Sequence, residues 1–226
     1  MAFRSWLDKL LGRRRGTFRR KGNEPRSARP RLEVLENRWL PSNAAIVVGA
    51  ASNFLGNPPN LGVNVFSPPP TVTLEANQNT FPGSTVGINV ATGDFTGTGK
   101  VDVVAAMAPG GSPEVQVRDV GSATVLADFF AFAPSFTGGV SVAVGDVNGD
   151  GHPDVIVGAA GGGSEVKVID GTRLTLVLAN GEIAPSSLLA DFLAFAPTFM
   201  GGVNVAAGDV NGDSHFDIIV GVGGSE

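Results

Sequence analysis

The 226-residue chain has no cysteine, no tyrosine, two histidines and two tryptophans. The missing cysteines exclude a disulfide framework, thiolate zinc sites and cysteine nucleophiles, and leave the redox compartment open. With so few histidines, a histidine-based metal cage or a proton relay has almost nothing to draw on. No Gly-x-Ser-x-Gly nucleophile elbow occurs. No 18-residue apolar run exists, which argues against a membrane-spanning helix, and no 7–15-residue apolar stretch follows the early basic residues, so an ordinary secretory signal is missing. What the chain has instead is glycine, 32 residues of it, and an uneven distribution of charge. Residues 1–40 carry 12 Lys+Arg against 4 Asp+Glu, and residues 41–226 carry 4 against 17, which reproduces the net charge of −5. A basic arm therefore precedes an acidic body.

The body contains an acidic nine-residue loop in two clear copies. Asp146-Val-Asn-Gly-Asp-Gly-His-Pro-Asp154 returns as Asp209-Val-Asn-Gly-Asp-Ser-His-Phe-Asp217. Oxygen-bearing side chains stand at positions 1, 3, 5 and 9. Alternate residues of a tight loop can turn inward around one cation, and Ca²⁺ takes six to eight hard oxygen ligands in irregular geometry. Mg²⁺ fits less well, because it demands a stricter octahedron. An EF-hand begins similarly but needs a bidentate Glu at position 12, where this chain has Val157 and Val220. A metal-free reading, in which Asn-Gly and Asp-Gly only form turns, explains the glycines but not three carboxylates converging twice. A third copy, Asp94-Phe-Thr-Gly-Thr-Gly-Lys-Val-Asp102, has Thr96 and Thr98 in place of Asn and Asp.

The loops sit in a longer repeat. Residues 136–146 match 199–209, 127–134 match 190–197, and 110–119 match 162–170. The first loop aspartates fall at 94, 146 and 209, giving steps of 52 and 63 residues. The longer step is assigned to extra residues around Thr172–Ser187, most simply a lengthened hairpin turn. Such periods indicate stacked units rather than one closed globule. Strands are expected at Val115–Val117 with polar residues outward, Val125–Phe132, Val140–Val144 and Val155–Val157, separated by Gly, Pro, Asn and Asp. Four short strands per unit is what a propeller blade requires. Phe129, Phe132 and Phe136, and likewise Phe192, Phe195 and Phe199, are expected to pack between adjacent blades. Asp119, Asp128, Asp170 and Asp191 recur with the repeat, which suggests turn or strand-end duty rather than one catalytic pair.

The segment Gly-Asp-Val-Asn-Gly-Asp-x-x-x-Asp-Ile/Val-Ile-Val-Gly resembles the FG-GAP, or VCBS-like, repeat that builds the β-propeller of integrin α-subunits and of many bacterial surface proteins. The resemblance covers roughly Ile46 to Glu226. It implies an all-β fold, a partial β-propeller of four-stranded blades, with about three blades plus a stub. It also implies one Ca²⁺ per intact loop, about two in all. The implied ligands are Asp146, Asn148, Asp150, His152 through its carbonyl, and Asp154, then Asp209, Asn211, Asp213, His215 through its carbonyl, and Asp217. The degenerate loop Asp94–Asp102 is expected to be weak or empty.

The domain reading is a basic leader over 1–42, disordered or with a short helix, then repeats over 43–226, divided at about 43–106, 107–158 and 159–221. In the arm, Phe3, Trp6, Leu7, Leu10 and Leu11 follow helical spacing beside Arg13-Arg14-Arg15, an arrangement suited to an anionic membrane face. Nucleic acid is a poor partner for the acidic body. Arg29–Ser42 resembles a leader motif of large bacterial cell-surface and secreted repeat proteins, which implies an extracellular or cell-surface location. The chain ends on Gly223-Gly-Ser-Glu226, the sequence that opens a further unit at Gly162. A fragment of a longer array with open, self-associating blade edges is therefore expected. The function expected is a non-catalytic calcium-binding module for adhesion, with a protein or carbohydrate ligand. The alternatives are a fragment of a propeller hydrolase or lyase, and a membrane-surface protein acting through its arm.

Overall fold

The computed structural model describes residues 46–49, 62–67 and 74–223. The basic arm 1–42, with its helical spacing from Phe3 to Leu11, lies outside the described residues.

Among the described residues thirteen strands form the body, all paired antiparallel with their neighbours. β1 (Ile46–Gly49), β2 (Gly62–Phe66) and β3 (Leu74–Asn79) form a three-stranded sheet. β4 (Ile88–Gly93), β5 (Asp102–Met107), β6 (Glu114–Asp119) and β7 (Val125–Phe130) form a four-stranded one in sequence order. β8 (Val140–Gly145), β9 (Asp154–Ala159), β10 (Glu165–Ile169) and β11 (Leu188–Leu193) repeat it. β12 (Val203–Gly208) and β13 (Asp217–Val222) begin the pattern again. This is the all-β architecture of blades expected from the turn spacing.

A register shift recurs where the third strand of a blade meets the fourth, at Val117/Arg118 and at Val168/Ile169. The same shift lies between β2 and β3, at Val65/Phe66. The three-stranded sheet thus corresponds to strands two to four of a blade. The units read from the sequence, 43–106, 107–158 and 159–221, have the right period but cut through the sheets, which run over 88–130 and 140–193. A sequence repeat has no natural starting point; the sheet does, at its innermost strand.

The core lies in the seams between sheets. β8 touches both β4 and β12, so the first strands of successive blades lie side by side. One seam joins Val104, Val117, Ala127 and Phe129 to Val142, Val155 and Val157. A second gathers Val63, Val65, Phe81 and Ile88 with Val103 and Ala105. A third gathers Ala143, Ile156, Val166, Val168 and Val203. Alternate residues of β5 and β9 therefore serve different seams, following the period of two along a strand. That is why β9 is buried along its whole length and reads as one apolar run. Gln116, expected to point to solvent, and its counterpart Lys167 are buried for the same reason: both faces of these sheets are covered.

Close approach between blades requires glycine at a few sites. Gly202 has φ +76°, and a Cβ there would lie 2.0 Å from the Ala160 carbonyl oxygen. Gly139 makes the equivalent contact one blade earlier, 2.2 Å from the Pro109 nitrogen. The Phe132–Phe136 and Phe195–Phe199 ring pairs, at 5.1 and 5.0 Å, close the two seams alike, at the separation tilted aromatic pairs prefer. Phe192 departs from the expectation: it is 39 % exposed, whereas its counterpart Phe129 is 2 % exposed. The neighbours of Phe192 on the same face, Ala190 and Ala194, pack against the third seam, but Phe192 stays exposed.

Candidate metal-binding loops

The acidic loop occupies the same place in all three of its copies, between the first and second strands of a sheet. Its last aspartate opens the second strand and pairs with the glycine that closes the first: Gly93↔Asp102, Gly145↔Asp154 and Gly208↔Asp217. The strand ladder thus sets the two ends of the loop, and the side chains shape what lies between.

Positions 1 and 9 do the same work in all three copies. Asp146 Oδ1 accepts from the Gly149 N–H (2.7 Å) and the Asp150 N–H (3.1 Å), and its Oδ2 accepts from the Gly151 N–H (2.9 Å). Asp209 accepts from Gly212 and Ser214, and Asp94 from Thr98 and Gly99. These are turn-forming side-chain to backbone bonds, local to the loop. At position 9, Asp154, Asp217 and Asp102 each accept from the N–H of position 2, respectively Val147, Val210 and Phe95, all at 2.9 Å. Positive φ values at Gly149 (73°), Gly151 (86°), Gly212 (82°) and Ser214 (72°) complete the turn. Ser214 is the residue for which this conformation is costly.

Positions 3 and 5 distinguish the copies. Asn148 Nδ2 donates to Asp150 Oδ2 at 3.0 Å, and Asp150 Oδ1 accepts the His152 N–H at 2.8 Å. Asn211, Asp213 and His215 repeat this at 3.0 and 2.9 Å, with a further bond from Asn211 to Asp217 at 3.3 Å. In the degenerate loop, a Thr96–Thr98 hydroxyl pair at 3.1 Å stands in for the Asn–Asp pair. Donation by the position-7 N–H, with help from the Asn amide, holds the carboxyls of Asp150 and Asp213 below the ordinary range. Both remain charged and exposed. Burial pushes Asp154 and Asp102 the other way, against the backbone N–H groups they accept from.

The donor set suits a hard cation: three carboxylates and an Asn carbonyl in each intact loop, with Asp150 and Asp213 exposed, Asp154 buried and Asp217 half-buried. The side chains are turned onto the loop's own amides, and among the described residues no three His, Cys, Asp or Glu side chains converge as a ready cage. Each carboxylate keeps acceptor capacity beyond the bonds it makes. Gathering them around an ion requires Asn148 and Asp150, or Asn211 and Asp213, to release each other while the backbone stays in place.

The loops also contact one another, which their sequences do not reveal. The Phe216 N–H donates to the Asp146 carbonyl at 3.0 Å. A Cβ on Gly149 would lie 2.1 Å from the His215 ring, and one on Gly145 would lie 2.5 Å from the Phe216 ring. Pro153 lies against Gly93 as Phe216 does against Gly145. The residue between loop ends thus packs on the preceding loop, and the ring of His215 has a packing role beside any role for its carbonyl. Asp154 ties its loop to the next connection, since its Oδ1 accepts the Gly171 N–H at 3.0 Å. Of the recurrent aspartates outside the loops, Asp119 and Asp170 cap turns, accepting from the Gly121 and Thr172 N–H groups. Asp128 accepts from the Gln116 amide.

Four-stranded antiparallel sheets stacked through apolar seams, each carrying an acidic loop at the same corner, define a repeat array built from β-propeller blades. Residues 138–172 match the family model of the FG-GAP repeat. That segment spans β8, the loop 146–154, β9 and β10. No curated protein matches the chain. No helix among the described residues is long and apolar enough to cross a membrane.

Proposed function

We propose that the body is a non-catalytic, calcium-binding propeller module that works outside the cell and presents its surface to a protein or carbohydrate ligand. The observation that carries this reading is the contrast between loop positions. Positions 1 and 9 shape the loop in all three copies, including the one whose other donors are hydroxyls. Asn and Asp at positions 3 and 5 are not needed for that shape, yet both intact loops hold them at its exposed rim. Charged oxygen donors gathered at an exposed rim, where a hydroxyl pair serves the same loop in the degenerate copy, are what a cation site supplies. Calcium on Asp146, Asn148, Asp150, the His152 carbonyl and Asp154, and on their counterparts from Asp209 to Asp217, would brace the first two strands of each sheet. The FG-GAP match and calcium levels outside cells agree with an extracellular setting, where weak sites suffice. Open blade surfaces such as that around Phe192 make self-association part of the same reading.

A thermal melt in calcium and in chelator tests it. An ion that binds only the folded state stabilises by about 2.7 kcal/mol at a hundredfold excess over Kd, or roughly 5–10 °C in Tm for a body of this size. Asp150→Ala and Asp213→Ala are each expected to remove part of that calcium-dependent rise and leave the melt in chelator unchanged. Equal losses in both conditions would count against the assignment.

A further inference from the structure

We infer that the inserted connection 171–187 is a strap that fuses the blade 88–130 to the blade 140–193, so that the two open as one unit. In the earlier blade the corresponding turn is short: β6 ends at Asp119 and β7 starts at Val125. In the later blade β10 ends at Ile169 and β11 starts at Leu188, and the additional residues cross to the neighbouring sheet.

The crossing is made of backbone, charge and packing together. Phe130 and Glu182 form a parallel bridge. The Phe130 N–H donates to the Gly181 carbonyl, and the Ile183 N–H donates to the Phe130 carbonyl, both at 2.9 Å. Val177 pairs antiparallel with Ile183, which folds the strap on itself. β7, the outer strand of its blade, thereby gains a neighbour on its open edge. Leu174 and Ile183, 6 % and 2 % exposed, are part of the seam that joins the two blades. Lys167 fixes the strap from the side of its own blade. Its Nζ lies 3.5 Å from Glu182 of the strap and 3.4 Å from Glu165, donates to the Ala131 carbonyl at 3.1 Å, and stands 5.2 Å from the centre of the Phe132 ring. A buried ammonium needs such a full set of partners, and here they come from both blades and the strap.

The molecule supplies its own comparison. Leu193 in β11 is the counterpart of Phe130 in β7. Among the described residues no strap reaches β11, and Leu193 is 50 % exposed. An outer strand with an unpaired edge frays more easily and invites other chains; the strap removes that weakness from one blade.

Hydrogen exchange read by mass spectrometry on the full chain tests the inference. In the wild type, amides of Val125–Phe130 and of Glu165–Ile169 are expected to share one level of protection, above that of Leu188–Leu193. Replacing residues 171–187 by the sequence of the short turn, Val120–Thr124, is expected to speed exchange in Val125–Phe130 by about tenfold or more while β4 and β8 keep their protection. Ile183→Pro, which removes the donor to the Phe130 carbonyl, fixes φ at 183, restricts Glu182 and shortens a buried side chain, should give a smaller change in the same place. Unchanged exchange of Val125–Phe130 in the shortened chain overturns the inference. If the shortened chain does not fold, Ile183→Pro decides: faster exchange confined to β7 supports the strap, and unchanged exchange there overturns it.

Discussion

At the scale of single residues, the aspartates of one loop divide between two duties. Asp154 is fully buried and accepts from Val147 on one side and Gly171 on the other. Truncating it strands two N–H groups, so Asp154→Ala is expected to destabilise by about 2–3 kcal/mol. Urea denaturation should show that loss even in chelator, where Asp150→Ala shows none, and a larger loss in calcium, because a proposed ligand goes with it. A half-buried carboxyl elsewhere gives a pH signature. Burial, reinforced by the nearby Asp128 charge, raises Glu114 above its ordinary 4.5. A carboxyl that holds its proton more tightly when folded favours the folded state at low pH, and that contribution is lost as pH rises through the folded pKa. Wild-type stability should therefore decline across that window, with the contribution complete below 4.5. The Glu114→Gln chain should show a shallower decline, since the raised carboxyls of Asp154 and Asp102 remain, which Tm measured between about pH 4 and 7 would show.

At the scale of elements, burial depends on which sheets meet rather than on the strand's own sequence. Ile156 and Ile219 hold the same position in β9 and β13, yet they are 0 % and 44 % exposed. Ile156→Ala should cost about 2–5 kcal/mol, the range for emptying a packed site. Ile219→Ala should cost less than about 1 kcal/mol, and a parallel denaturation series would compare the two. The strands, the turn positions and the lengthened connection after β10 were all legible in the sequence, because turn residues and β-branched runs act locally. Burial of Gln116 and Lys167 was not, because alternation along one strand says nothing of a second sheet on its other face. The exposure of Phe192 was missed because its match to Phe129 in the repeat says nothing of what packs around each. Where the inserted residues go was also hidden: Gly181, Glu182 and Ile183 read as an ordinary turn, and only their pairing with Phe130, far away in sequence, gives them a role. The loop ligand set was legible by spacing, but the packing of His215 and Phe216 on the preceding loop was not, since it joins residues of different repeats.

At the scale of the whole molecule, stability is distributed along the seams. Each sheet draws on its neighbours, as expected of repeat arrays, and two of the three seams are closed by the same glycine approach and aromatic pair. Calcium would act within this scheme by stiffening the corner where two strands of one sheet meet the loop of the next. The acidic character of residues 41–226 suits cation uptake and disfavours phosphate polymers. The most direct measurement is isothermal calorimetry of the full chain with Ca²⁺, counting sites. Two sites are expected, falling to one in either Asp150→Ala or Asp213→Ala. Absence of any calcium heat or stoichiometry in the wild-type chain would contradict the account.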